Sequence, residues 1–180
     1  MKIWQDMRLS RLIATSAMFG ALGNVLSLFS LTLGSISPEI AVDLSHIATF
    51  SAAFVGGPWC GGLAGALGAI APFIRFTAGW LPVYVSALIF PGKAMTGVFW
   101  GLLVKRLRPA YTVVAGYIPE SLFTYFVLRC ALESLGVPAA GGVILGILAK
   151  AWGEMALIAV LAEALSGRLE QLKEAYGLVD

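Results

Sequence analysis

From Leu9 to Leu165 the sequence runs through six apolar stretches, separated only by short polar or glycine- and proline-rich turns. Each is close to the length, about 20 residues, at which a helix crosses the hydrocarbon of a bilayer. Such a chain cannot cover itself with polar surface in water. Of its 180 residues 59% are hydrophobic and only 12% are charged, and mean hydropathy is +0.88. A soluble domain carries about twice that share of charge. Disorder is excluded by the same composition, because disordered chains are poor in apolar residues and highly charged. A net charge of +2, with no basic cluster outside the loops, argues against a nucleic-acid partner. The expected class is an all-α integral membrane bundle of six transmembrane helices, a single domain over residues 1–180 with the lipid bilayer as its solvent.

The stretches are read as residues 9–33, 40–55, 59–76, 83–104, 110–132 and 143–165, followed by a charged amphipathic tail at 168–180. The basic head before Leu9 resembles a signal peptide, but the apolar stretch is too long and no Ala-x-Ala site follows, so it is expected to remain. Gly56-Gly57-Pro58 breaks the second helix from the third, and Pro91-Gly92 interrupts the fourth. The third stretch is dense in small residues (Gly61, Gly62, Ala64, Gly65, Ala66, Gly68), which let helix backbones approach in lipid. With no Gly-Lys-Ser/Thr they do not form a phosphate loop.

Orientation follows from lysine and arginine. An even number of crossings puts both termini and the 105–108 loop on one side. That side holds Lys2, Arg8, Arg11, Lys105, Arg106, Arg108, Arg168 and Lys173, and the other only Arg75 and Arg129. Both termini are therefore expected in the cytoplasm, and the location is the cell (plasma) membrane.

Four ionisable residues remain deep within the apolar stretches: Lys93, Glu120, Lys150 and Glu154. Each costs about 2.5–3.5 kcal/mol at the bilayer centre, so each should face protein or water. Lys150 and Glu154 are four apart on one helix face and, with Gly146 and Gly153, read as a polar, close-packed stripe. Tyr117, Glu120, Ser121 and Thr124 form a second stripe, and Ser86, Lys93, Thr96, Gly97 and Trp100 a third. Two lysines and two glutamates could neutralise one another as a clamp, or line a cavity that binds a polar small molecule. Three consecutive helices with polar stripes favour the cavity, since intramembrane charges mark substrate paths.

At the other membrane face, Arg75, Trp80 and Tyr84 could complete such a cavity. Trp80 and Tyr84 suit stacking on a flat ring and an interfacial aromatic belt equally well. Asp43 and His46 read as a helix-start cap and a satisfied core histidine, and Arg129 with Glu133 as an interfacial ion pair. One histidine excludes a multi-histidine metal site, and neither metal nor cofactor is expected. Cys60 and Cys130 read as buried small hydrophobes at opposite faces. No nucleophile elbow, His-Glu-x-x-His or Walker sequence appears, so an enzyme is not expected.

Two passages carry a resemblance. Residues 13–22, Ile-Ala-Thr-Ser-Ala-Met-Phe-Gly-Ala-Leu, hold an Ala-x-x-x-Ala spacing at Ala17 and Ala21, with Ala14 on the same face. Residues 54–68 hold Gly-Gly-Pro-Trp followed by a glycine-rich helix. With the length and helix count, the chain resembles the substrate-binding S-component of an energy-coupling factor (ECF) vitamin transporter, over residues 8–75. Many such components carry an acidic residue after the glycine-rich run, where this chain has Ala69-Ile70-Ala71-Pro72. The resemblance implies high-affinity capture of a vitamin-like small molecule. It also implies docking through Ala14, Ala17 and Ala21 onto a transmembrane coupling subunit driven by two ATPase subunits. In that family the last three helices and the outer loops build the pocket, where Lys93, Glu120, Tyr117, Lys150 and Glu154 fall. The rival reading is a stand-alone proton-coupled small-solute carrier, in which the buried Lys/Glu set relays protons.

Overall fold

The computed structural model describes residues 2–32, 43–79, 82–136 and 140–175. Among them every regular element is helical: α1 (Lys2–Thr32), α2 (Ser45–Leu67), α3 (Ile70–Gly79), α4 (Val83–Ser86), α5 (Ile89–Leu103), α6 (Pro109–Ser134) and α7 (Ala140–Ala175). Four segments are long and apolar enough to cross a membrane: Leu9–Ser30, Ser45–Gly79, Val83–Leu103 and Gly141–Leu172. α6 is not among them. It is 26 residues long, but Pro119, Glu120 and its hydroxylated residues lower its hydropathy.

α2 is two arms joined at Gly57, whose backbone sits at φ 76°, ψ −166°. That region is open essentially to glycine alone. Pro58 follows, where a helix could not have continued. The second arm runs back along the first. Gly61 lies against Ala53, Gly65 against Thr49, and Gly68 and Ser45 both reach Gly23 of α1. The expected break at residues 56–58 is thus a chain reversal. Absent side chains let α5 press on the returning arm: Gly97 meets the backbone of Gly61, and Gly101 that of Gly57 and Pro58.

Two further interruptions have a shared cause. Pro72 and Pro91 have no N–H to donate to the carbonyls of Gly68 and Ala87, so each helix restarts with its proline in the first turn, at Ile70 and Ile89. The break near Pro91-Gly92 therefore stands at Ala87-Leu88, dividing α4 from α5. Between α2 and α3 the gap is filled from α1. Asn24 Nδ2 donates to the Leu67 carbonyl at 2.9 Å, and its Oδ1 accepts from the Ala71 N–H at 2.7 Å. A side-chain amide has replaced one missing backbone bond, which bends the helix without orphaning its polar groups.

Besides the core of Phe19, Ala48, Ala52, Cys60 and Ala64 where α1 packs on α2, two apolar cores hold the ends of the bundle. One gathers Phe50, Val55, Trp100, Val113, Met155 and Ile158, with Trp100 Nε1 donating to the Val113 carbonyl at 2.9 Å. The other gathers Val85, Leu128, Ala131, Leu132 and Ile144. α7 continues unbroken through most of the expected tail, and Leu169 packs into the first core. Residues 176–180 of that tail lie outside the described residues.

Candidate functional site

Between the two cores lies a cavity of about 610 Å³. Its walls come from the first residues of α5 (Ile89, Lys93), α6 from Tyr117 to Leu132 and the first half of α7 (Gly142 to Glu154). Asp43 and His46 at the start of α2, and Arg75 and Phe76 near the end of α3, complete it. All these segments belong to the half of the bundle away from the 105–108 loop. The volume suits a small organic molecule, since ligand pockets run about 300–1,000 Å³.

Besides His46 and Tyr117, six side chains that carry formal charge line it, three acids (Asp43, Glu120, Glu154) and three bases (Arg75, Lys93, Lys150). Lys93 is 1% exposed, so its ammonium needs an acceptor close by. It donates to Asp43 Oδ2 at 2.7 Å and also to Ser45 Oγ. The other oxygen of Asp43 accepts from the Ser45 N–H at 3.0 Å, one of the open donors in the first turn of α2. On α7, Lys150 and Glu154 pair at 3.0 Å across one helical turn. Glu154 Oε1 also accepts from the Asp43 N–H at 2.7 Å, which ties α7 to the start of α2.

Two pairs account for four of the six charges. Glu120 is buried and accepts a hydrogen bond from the neutral Thr96 hydroxyl, and among the described residues no cation lies within ion-pair distance of it. Arg75 is the opposite case. Its Nε and Nη1 are buried and find no acceptor among the described residues, and its guanidinium lies 5.0 Å from the centre of the Phe76 ring. His46 Nδ1 is likewise buried without a partner among them, its ring set edge-on to Trp100 and Tyr117. Buried polar groups in folded proteins are normally satisfied, and these three groups all border this cavity, Arg75 bordering a second one beside Asn24 and Ser27 as well.

Of the residues expected at the site, Lys93, Glu120, Lys150, Glu154, Arg75 and Tyr117 line the cavity together. Tyr84 does not: α4 turns Val85 and Ser86 inward, leaving Tyr84 65% exposed. Trp80 lies outside the described residues. The two lysines and two glutamates do not neutralise each other as a closed set, because Lys93 takes Asp43 as its partner. Asp43 and His46 belong to the cavity wall, although their spacing alone suggests only a cap and a satisfied histidine. A methyl group added at Gly146 or Gly153 would meet nothing within 4 Å, so the α7 stripe is open rather than close-packed. Cys60 is buried beside Ser16, but Cys130 is exposed on the outer face of α6. Arg129 and Glu133 pair at 2.9 Å on that same outer face.

Ala14, Ala17 and Ala21 share an exposed face of α1, while Ser16, Phe19, Gly20 and Gly23 on the other face are buried in the bundle. Among the described residues, no three His, Cys, Asp or Glu side chains converge as metal ligands. No family model, curated protein or solved structure matches this chain.

Proposed function

We propose that this chain is a multi-pass membrane subunit that captures a small polar molecule in its cavity for uptake, in the manner of an ECF S-component. The observation that carries this reading is the cavity between the two cores, with a cation and an anion of its wall lacking an opposite charge among the described residues. Charges at such depth are costly and serve as ligand or ion sites. In this reading α1, the two arms of α2 (the second extended by α3), α4 with α5, α6 and α7 make six crossings. The 105–108 loop and both termini face the cytoplasm of the plasma membrane, and the cavity opens outward. Lys93, Glu120, Lys150, Glu154, Arg75 and Tyr117 bind. The exposed Ala14–Ala17–Ala21 face docks a coupling subunit served by two ATPases.

Mass spectrometry of small molecules released from the purified protein tests capture directly, and a preparation that carries none and binds none refutes it. Labelling tests topology. In a Cys60→Ser, Cys130→Ser background, a cysteine at Gly136 should react with an impermeant maleimide from outside, and one at Arg108 should not. The reverse pattern overturns the orientation. A stand-alone proton-coupled carrier is the second reading, favoured by the buried Glu120 with its neutral Thr96 partner. Uptake into vesicles holding this protein alone, driven by a pH gradient, would decide for it.

A further inference from the structure

The wall of the cavity has one open positive end and one open negative end, and these stand apart. The Arg75 guanidinium lies against the Phe76 ring, which packs on the core of Val85, Leu128, Ala131, Leu132 and Ile144. Glu120 belongs to the same helix as Leu128 but eight residues earlier, roughly 12 Å along the axis at 1.5 Å per residue. Between the two levels the wall is mainly apolar, with Ile89, Phe123, Val127 and Ile147 among its members. The remaining four charges are already paired and contribute no net demand. An anion alone would leave Glu120 bare, and a cation alone would leave Arg75 bare.

Resting on the reading of this cavity as a binding site, we propose that its ligand class is an extended zwitterion. An acidic group meets Arg75, an amine or other cationic group meets Glu120, and an apolar body separates them, its length on the scale of the roughly 12 Å between the Leu128 and Glu120 levels of α6. Such a molecule satisfies both open ends at once and stays neutral overall, which suits a site bounded by lipid. An α-amino acid with both charges on one carbon reaches only one end.

The test uses four probes of matched size on the purified full chain in detergent micelles: 8-aminooctanoate, octanoate, octylamine and 2-aminooctanoate. Calorimetric titration should show 8-aminooctanoate binding at least about tenfold more tightly than each of the others, the scale of one charge-assisted hydrogen bond. Arg75→Gln should bring 8-aminooctanoate down to the affinity of octylamine, and Glu120→Gln down to that of octanoate. The comparison of probes on the unaltered chain stands even if a variant fails to fold. Equal affinity for all four, or preference for a singly charged probe, overturns the zwitterion while leaving the cavity a binding site. No binding of any probe, by a protein that releases a molecule of another charge type on denaturation, overturns the zwitterion and upholds capture. No binding and no released molecule overturns both.

Discussion

Replacing Asp43 with asparagine removes one charge from a pair in which both side chains are nearly dry. The Lys93 side chain is 2% exposed and that of Asp43 10%, with 2.7 Å between Nζ and Oδ2. Asparagine keeps an oxygen to accept from the Ser45 N–H, so that donor in the first turn of α2 stays satisfied and the loss isolates the ion pair. Removing one partner of a buried pair costs about 3–5 kcal/mol, because the other charge is stranded. Here Ser45 Oγ still accepts from Lys93, and the cavity lies alongside, which puts the expected loss near the lower end, about 3 kcal/mol. At about 2–4 °C per kcal/mol for a chain of this length, Tm should fall by about 6–12 °C. Lys93→Met should cost a similar amount by stranding Asp43. The double variant removes both charges and should lose clearly less than the sum, a coupling of about 2 kcal/mol or more. A dye that fluoresces on reacting with the buried Cys60, in a Cys130→Ser background, reports unfolding during a thermal ramp. A Tm for Asp43→Asn within about 2 °C of the parent, or a double variant that loses the full sum, would refute the pairing as the source of stability.

Gly97→Ala should be poorly tolerated, losing about 1–3 kcal/mol in thermal unfolding, because a methyl group there runs into the Gly61 backbone. Gly153→Ala, with open space around it, should be neutral or stabilise by up to about 1 kcal/mol in the same measurement. Asn24→Leu strips the Leu67 carbonyl and the Ala71 N–H of their shared partner, and thermal unfolding should register a loss of about 2 kcal/mol or more. Ala17→Trp and Ala21→Trp project outward from α1, so under the proposed docking ligand binding should stay near the parent value while energised uptake with the proposed partner subunits is lost. Uptake that survives both substitutions would remove α1 as the docking face.

The helical architecture, the reversal at Gly57 and six residues of the cavity wall were legible because each leaves a local mark. Apolar runs give helices, Gly-Gly-Pro gives a break, and an isolated Lys or Glu in an apolar run must turn inward. Partner choice left no such mark. Lys93 pairs with Asp43 rather than with either buried glutamate because the α2 hairpin brings the start of that helix beside α5, a matter of tertiary register. The signal available was that Asp43 stood within an expected crossing while Lys93 needed a carboxylate. Asn24 left a fainter one, an amide deep in an apolar stretch, with nothing to say that a broken ladder lay opposite. Tyr84 misled because its aim depends on how the single turn of α4 sits between Pro82 and the break at Ala87-Leu88, and that turn faces Val85 and Ser86 inward instead.

The contacts that close the cavity join distant parts of the chain: Asp43 reaches Lys93 across 50 positions and Glu154 across 111. On a ribosome, α1 and α2 enter the bilayer before either partner has been synthesised. The acidic start of α2 then has no cation to neutralise it, and water or the translocation machinery must shelter it until α5 arrives. α7 comes last, bringing the carboxylate that anchors the Asp43 backbone and one whole wall of the cavity. Nascent chains arrested before α7 therefore contain the glycine-packed scaffold of α1, α2 and α5 without one wall of the cavity. In the proposed membrane reading, quality control that monitors exposed intramembrane charge would see such intermediates as unfinished until the final helix arrives.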